Sequence, residues 1–571
     1  MLKSYLCILA ALIGCTLHAK NYLEDYLPSS TLVSVSLDDF KSLVTAVEEG
    51  KILELVSAQQ KAEWEDSLGE PLETEDGEQY TLPSGDALTL GNLHELLSGR
   101  ICGAIVSLEE GAEKSPRIVL LTDFAGDIEA LKFLQIYDRD VAYDDVLLIE
   151  EPYAGVTLYT EEIADLPEEE WMPEYWTLVD GIAIEATSLE LLKNTVDAVI
   201  DSRSDGLGRD PDFLRSMDIA GQSQARIYLN LKEGIGMFRD LIEDDMPTIP
   251  MNPLGVTMDS LWNSLALESL QGAFMAIDFE SANFESVLGM LYTQRRGILE
   301  LLAYSSEPLR FPHWVPSDAI DANVSMLDFN EVFAAFEALM NDMSPNFGAM
   351  FQLQLDNFRQ QTNIDLREAL LTNFGTQFAS FSELKEADEI EEQSDNENLI
   401  VAIPIRDPQA FENAIKGLTE TFAPGAEVLS EREFLGMKIV TPANLSLEDS
   451  PFGYALADDH LFLAIGSVEL LERTLYHLRE SDGGLWNESY IVNALEDLPP
   501  NQIECAYFNL SAALEQLFEA YRENLSGNFG KGIDVDLPEL SGADVPFYIL
   551  SAGYILEDAQ ITRVRVLPKN P

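Results

Sequence analysis

The sequence predicts an α+β protein made of two homologous tandem modules, each a largely antiparallel β-sheet with helices packed on it. Three observations carry this expectation. Apolar residues alternate at a strand period and then at a helix period along the chain. Several neighbouring strand-like runs are joined by turns too short for a crossover helix, as at Val179-Asp180-Gly181, which favours hairpins over a doubly wound sheet. And the same ordered landmarks occur twice.

In the first copy, strand-like runs cover Thr31 to Leu37, Ile101 to Leu108, Ile118 to Thr122, Ile182 to Thr187 and Ala225 to Leu231. Helical patterns fall between them at Phe40 to Val56, Asp127 to Phe133, Leu189 to Ile200 and Gly234 to Ile242.

The landmarks return at a nearly constant separation. Pro28, Val35-Ser36 and Asp39-Phe40 match Pro316, Val324-Ser325 and Asp328-Phe329. Ala154-Gly155-Val156 matches Leu435-Gly436-Met437, and Ser188-Leu189-Glu190-Leu191-Leu192 matches Ser467-Val468-Glu469-Leu470-Leu471. Tyr228-Leu229-Asn230-Leu231 matches Tyr507-Phe508-Asn509-Leu510. The junction falls in Phe311-Pro312-His313-Trp314-Val315-Pro316, so the expected modules are 20–310 and 311–571.

Ahead of them, Lys3 and the apolar run from Tyr5 to Ile13 form an export signal too short to span a bilayer. Two cleavage sites stand open. Leu12-Ile13-Gly14-Cys15 resembles a lipobox, which would remove 1–14 and lipidate Cys15; Leu17-His18-Ala19 suits ordinary cleavage after 19. Beyond the signal no apolar stretch is long enough to span, so no transmembrane helix is expected in the mature chain. The expected location is exported: periplasmic, tethered to the outer membrane, or extracellular.

Asp and Glu number 101 against 34 Lys and Arg, a net charge of −67. A field of that sign repels phosphate backbones, which excludes nucleic acid as a partner. Hydrophobic residues at 46% are enough for a packed core, so the charge does not signal disorder. No D-x-[DN]-x-[DN]-G loop gives the acids a calcium spacing. The stretch Glu383 to Asn398 and its counterpart Glu109 to Pro116 read as solvated hairpin loops.

The order of parts resembles an uncharacterised bacterial envelope family, the domain of unknown function numbered 3352. The likeness rests on Leu27-Pro28-Ser29-Ser30-Thr31-Leu32-Val33 and Val315-Pro316-Ser317-Asp318, and on Tyr228-Leu229-Asn230 with Tyr507-Phe508-Asn509. It implies an exported location and no particular activity or site.

No catalytic constellation emerges. His94-Glu95 starts a zinc-protease motif, but Ser98 stands where the second histidine belongs. Ser526-Gly527-Asn528-Phe529-Gly530-Lys531-Gly532 lacks the phosphate-loop spacing and its hydroxyl, and no G-x-S-x-G elbow occurs. Neither catalytic, metal nor cofactor residues are assigned. The shared polar residues, Asp39 and Asp328, Ser188 and Ser467, Asn230 and Asn509, suit helix caps. Cys102 and Cys505 sit in apolar runs and read as buried thiols.

Two binding candidates remain. Phe336, Met340, Met343, Phe347, Met350 and Phe351 recur at helical spacing, suiting either a core or an adaptable apolar groove. Trp171, Tyr175 and Trp176 lie among acids, suiting either a strand start or a sugar-stacking surface. The first functional expectation is a non-enzymatic envelope protein, a binding or structural module with a protein or polysaccharide partner and no cofactor. The alternatives are a carboxylate-dependent hydrolase of polysaccharide or another envelope substrate, and a periplasmic chaperone or apolar-ligand carrier.

Overall fold

The computed structural model describes residues 22–38, 71, 87, 89, 99–108, 116–123, 146–163, 175–201, 205–221, 223–245, 254–278, 284–305, 307–365, 367–384, 397–422, 428–443, 450, 452–480, 483–499, 501–510 and 547–569. Its strands are β1 (Val33–Leu37), β2 (Ile101–Leu108), β3 (Pro116–Asp123), β4 (Val146–Tyr153), β5 (Val156–Ile163), β6 (Tyr175–Val179), β7 (Ile182–Ala186), β8 (Ala225–Leu229), β9 (Leu270–Asp278), β10 (Glu285–Tyr292), β11 (Asp321–Met326), β12 (Gln377–Leu384), β13 (Glu397–Pro404), β14 (Leu429–Phe434), β15 (Met437–Pro442), β16 (Phe452–Ala457), β17 (His460–Ile465), β18 (Glu504–Phe508), β19 (Phe547–Ile555) and β20 (Ala559–Pro568). The helices are α1 (Leu189–Asp201), α2 (Pro211–Ala220), α3 (Leu231–Asp245), α4 (Met258–Leu265), α5 (Phe329–Met343), α6 (Pro345–Thr362), α7 (Pro408–Phe422), α8 (Val468–Arg479) and α9 (Ser489–Glu496). The helices expected at Phe40 to Val56 and Asp127 to Phe133 lie outside the described residues.

The expectation of two modules, each with a sheet of its own, is overturned. Strand pairing links all twenty described strands into one sheet, and the ladders with a given register are antiparallel. Periodicity reports which face of a strand is buried; it carries no information about which strand lies alongside. An unpaired edge exposes a row of backbone donors and acceptors, so continuing a sheet satisfies groups that separate sheets would leave open.

Within that sheet the pairing order repeats. One run is β4-β5-β6-β7-β3-β2-β1-β8-β9-β10. The other is β14-β15-β16-β17-β13-β12-β11-β18-β19-β20. The register corrects one landmark. Tyr228 pairs with Ser34 and Arg226 with Ser36; Tyr507 pairs with Ala322 and Cys505 with Val324. Ser36 therefore corresponds to Val324, and the apparent Val35-Ser36 match to Val324-Ser325 is one residue out of step.

Four hairpins turn on two residues with positive φ: Ala154-Gly155 (49° and 90°), Asp180-Gly181 (50° and 84°), Leu435-Gly436 (53° and 79°) and Asp458-Asp459 (45° and 60°). Positive φ at both central positions marks the turn whose twist matches that of paired strands.

The described residues form two compact units, one holding the chain up to Arg239 with Leu270–Leu291, the other Asp240–Ser269 and the chain from Tyr292 on. In the first, α1 packs on β3, β6 and β7 through Leu191, Leu192, Thr195, Val196 and Val199, a helical stripe, and Phe213, Leu121 and Ile184 are fully buried. In the second, α8 packs on β16 and β17, and the core gathers Trp314, Val324, Phe381, Phe462, Leu471 and Leu485. The Trp314 and Phe462 rings meet edge to face at 5.2 Å.

The capping expectation can be read residue by residue. Asp328 accepts from the Asn330 and Glu331 amides at 3.0 and 3.2 Å, Ser188 from Leu191 at 3.2 Å, Ser467 from Leu470 at 3.4 Å and Asn230 from Glu233 at 3.2 Å. Asn509 accepts from Lys569 Nζ at 3.0 Å, and the residues it would cap, from 511 on, like Asp39, lie outside the described residues.

Candidate functional site

The six Phe and Met candidates all fall on one helical hairpin, α5 and α6. Ser344 separates the two helices: its side chain accepts from the Asn346 amide at 3.2 Å and donates to the Leu254 carbonyl, while Pro345 opens α6. A proline cannot continue a helix but suits its first position, so the chain must turn here. Gly348 brings the helices together, since a Cβ there would lie 1.8 Å from Asn341 Oδ1. α5 also packs against α4 and the turn Gly297–Leu301.

This packing covers the row incompletely. Leu339 is the buried apolar side chain of α5, whereas Phe336, Met340, Met343, Phe347 and Phe351 are only half-buried. Met350 is 39% and Leu353 56% exposed. Phe351 bridges the helices, its ring 5.4 Å from that of Phe336 and 6.1 Å from that of Phe333. Arg367 lies over the Phe333 ring at 5.2 Å and pairs with Glu337, which also accepts from Gln352 at 2.8 Å. Through its eighteen residues α6 carries one acid, Asp356, and one base, Arg359, so it is neutral in a chain of net charge −67.

The aromatic-acidic candidates are not brought into a site. Trp171 lies outside the described residues. Tyr175 and Trp176 open β6, and Trp176 stacks on its cross-strand neighbour Tyr159 at 4.0 Å and 20°. A cross-strand aromatic pair of this kind is accounted for by sheet packing.

Cys15 and His94 lie outside the described residues. His460 Nδ1 sits 2.8 Å from the carbonyl of Asp458 in its own turn, and His313 Nε2 lies 3.4 Å from the Leu478 carbonyl. Among the described residues, no group of three or more His, Cys, Asp and Glu could hold a metal ion. Cys102 and Cys505 are free and buried, and burial pushes both thiols well above the ordinary range.

A buried charged cluster in the first unit went unread in the sequence. Arg226, 4% exposed on β8, makes a two-pronged pair with Asp38, both bonds 2.5 Å. Its Nε lies 3.9 Å from Glu24 Oε1, an ion-pair distance too long for a hydrogen bond, and that oxygen accepts from Ser36 Oγ. Its guanidinium rests 5.4 Å from the Tyr22 ring centre. Burial alone would lower the Arg226 pKa; the bonds to Asp38 and the charge of Glu24 more than offset that and hold it above its ordinary value. Glu24 Oε2 and Arg226 Nε have no hydrogen-bond partner among the described residues. The available signal was a lone arginine inside the apolar run Ala225 to Leu231, where an unpaired charge would be costly.

Among the described residues no helix is long and apolar enough to cross a membrane. No family model and no curated protein matches the chain. Solved structures of TP0453 align with it at low similarity. Crystal form III gives a TM-score of 0.21 at 10% identity, over 46% of this chain and 95% of that one. Crystal form IV gives 0.22 at 12%, over 46% and 94%, and crystal form I gives 0.20 at 10%, over 48% and 79%. Likeness at this level carries no argument about fold or function.

Proposed function

We propose that this protein is an exported envelope binding module that holds apolar, basic segments of partner polypeptides on the α5–α6 hairpin. The observation that carries the reading is the half-exposed row of Phe336, Met340, Met343, Phe347, Met350 and Phe351, continued by Leu353. Flexible thioethers beside aromatic rings adapt to many apolar shapes, as suits a surface with several clients. The row lies on a two-helix face, which suits an amphipathic helix laid along it. Charge supports a basic client: Glu331, Glu337 and Asp342 lie along α5, and the whole molecule's field attracts cations.

The test is a thermal-shift and fluorescence titration of the mature protein. Its ligands are a basic amphipathic peptide, an acidic peptide of the same apolar pattern, and a fatty acid. The basic peptide should stabilise the fold by about 2.7 kcal/mol at a hundredfold excess over its Kd. Met350→Ser/Leu353→Ser, both at exposed positions, should weaken that binding at least tenfold. Equal binding by the double variant, or no response to the basic peptide, defeats the reading. A response to the fatty acid alone would make the protein a lipid carrier instead.

A further inference from the structure

Each run of the repeated pairing order is preceded by a short segment that docks on a Gly-Leu turn. In the first, the Leu207 amide donates to the Leu27 carbonyl at 2.9 Å; in the second, Leu485 donates to Val315, also at 2.9 Å. The glycines before these leucines are needed by the close approach. A Cβ on Gly206 would lie 1.9 Å from the Asp25 carbonyl oxygen, and one on Gly484 would lie 2.3 Å from that of His313. Leu207 and Leu485 are both fully buried. The backbone therefore offers two docking turns of the same design, and nothing in these contacts tells one segment from the other.

The side chains beneath them do. Beside the N-terminal segment stand Ser36, Asp38 and Arg226. The strand register puts Val324, Met326 and Cys505 at the corresponding places in the second run, all 1% exposed or less. The fold thus forms without the charges. A buried ion network is weak evidence for stability, since apolar residues commonly do as well, and its best attested use is to fix register or partner choice. Mispairing of like segments is the characteristic hazard of repeated sequences.

We propose that the Glu24–Arg226–Asp38 cluster is an address: it assigns the N-terminal segment to the Gly206-Leu207 turn and bars its docking on the Gly484-Leu485 turn of a second copy. Seated over Val324 and Cys505, Glu24 would be a buried carboxylate with no cation. Seated over Arg226, the segment carrying Trp314 would bring no carboxylate from its own residues 311–316, and the arginine would lose Glu24.

The test uses the full mature chain, unfolded in urea and refolded by dilution. Size-exclusion chromatography counts species, and hydrogen exchange reads the Leu207 and Leu485 amides. Wild type should return one species with both amides protected. Glu24→Leu/Ser36→Val/Asp38→Met/Arg226→Met should fold, yet raise the fraction of dimers or of chains with one amide unprotected at least tenfold. Glu24→Gln, which keeps the shape and removes the charge, should fall between the two and decides the matter if the apolar variant does not fold. Variants that return the single wild-type species, or a wild type that mis-sorts as often as they do, would overturn the proposal.

Discussion

At single positions, the side chains that matter most are those whose environment sets their chemistry. Cys102 and Cys505 illustrate this: both are buried, and burial raises their pKa, so the reactive thiolate is scarce at neutral pH. A thiol reagent at pH 8 should leave both unmodified in the folded protein and label both after urea is added, as read by peptide mass spectrometry. Labelling in the native state would mean that β2 or β18 opens readily. The caps give a second expectation at this scale. Ser467→Ala removes the oxygen that accepts from the Leu470 amide and should cost about 1 kcal/mol in urea unfolding. That Ser188 and Ser467 would cap was legible because capping is local chemistry. The cluster of Glu24, Asp38 and Arg226 was not, because its members are far apart in sequence and meet only once β1 and β8 pair.

Among the elements, the hairpins show how local rules and their exceptions share one design. Three of the four positive-φ turns have glycine second, where a left-handed conformation is free of strain. Leu435 is different: it holds φ at 53° while its side chain is 37% exposed. A β-carbon in that region costs roughly 1 kcal/mol, and asparagine tolerates it better. Leu435→Asn should therefore raise stability by about 0.5 to 1 kcal/mol in denaturant titration, and a loss would show that Leu435 contributes packing that outweighs its backbone strain. The turns were legible from their residues. The register was legible only to within one step, since β1 and β11 both carry a Val-Ser pair and only the partners Tyr228 and Tyr507 show which residues correspond. The single sheet was not legible at all, because side-chain alternation encodes faces and leaves neighbours unstated. The α5–α6 row was legible as a pattern, but whether it faced core or solvent depended on what packs against α5.

For the whole molecule, 101 acids against 34 bases make stability a function of pH and salt. Self-repulsion opposes the compact state and weakens as carboxylates gain protons. Particular acids, one buried and two partly buried, act in the same direction. Asp25 and Asp212 are held above the ordinary carboxylate range, chiefly by burial, and Glu383 is raised by burial despite its pair with Arg473. Each of these groups binds its proton more tightly folded than unfolded. The stability they contribute is therefore present below the unfolded carboxylate pKa and is lost as pH rises through the raised folded values. Both effects carry one sign, so at low salt the thermal midpoint should fall as pH rises from about 4, the ordinary carboxylate range, through the raised values above it. Raising salt from 0.01 to 1 M shortens the screening length from about 30 Å to about 3 Å. That should recover most of the loss due to repulsion between exposed groups and little of the part due to these acids. Calorimetry at pH 4, 5, 6 and 7 at both salt levels separates the two. A midpoint that rises with pH at low salt would mean that charge pairing, as at Arg226 and Asp38, outweighs repulsion across the molecule.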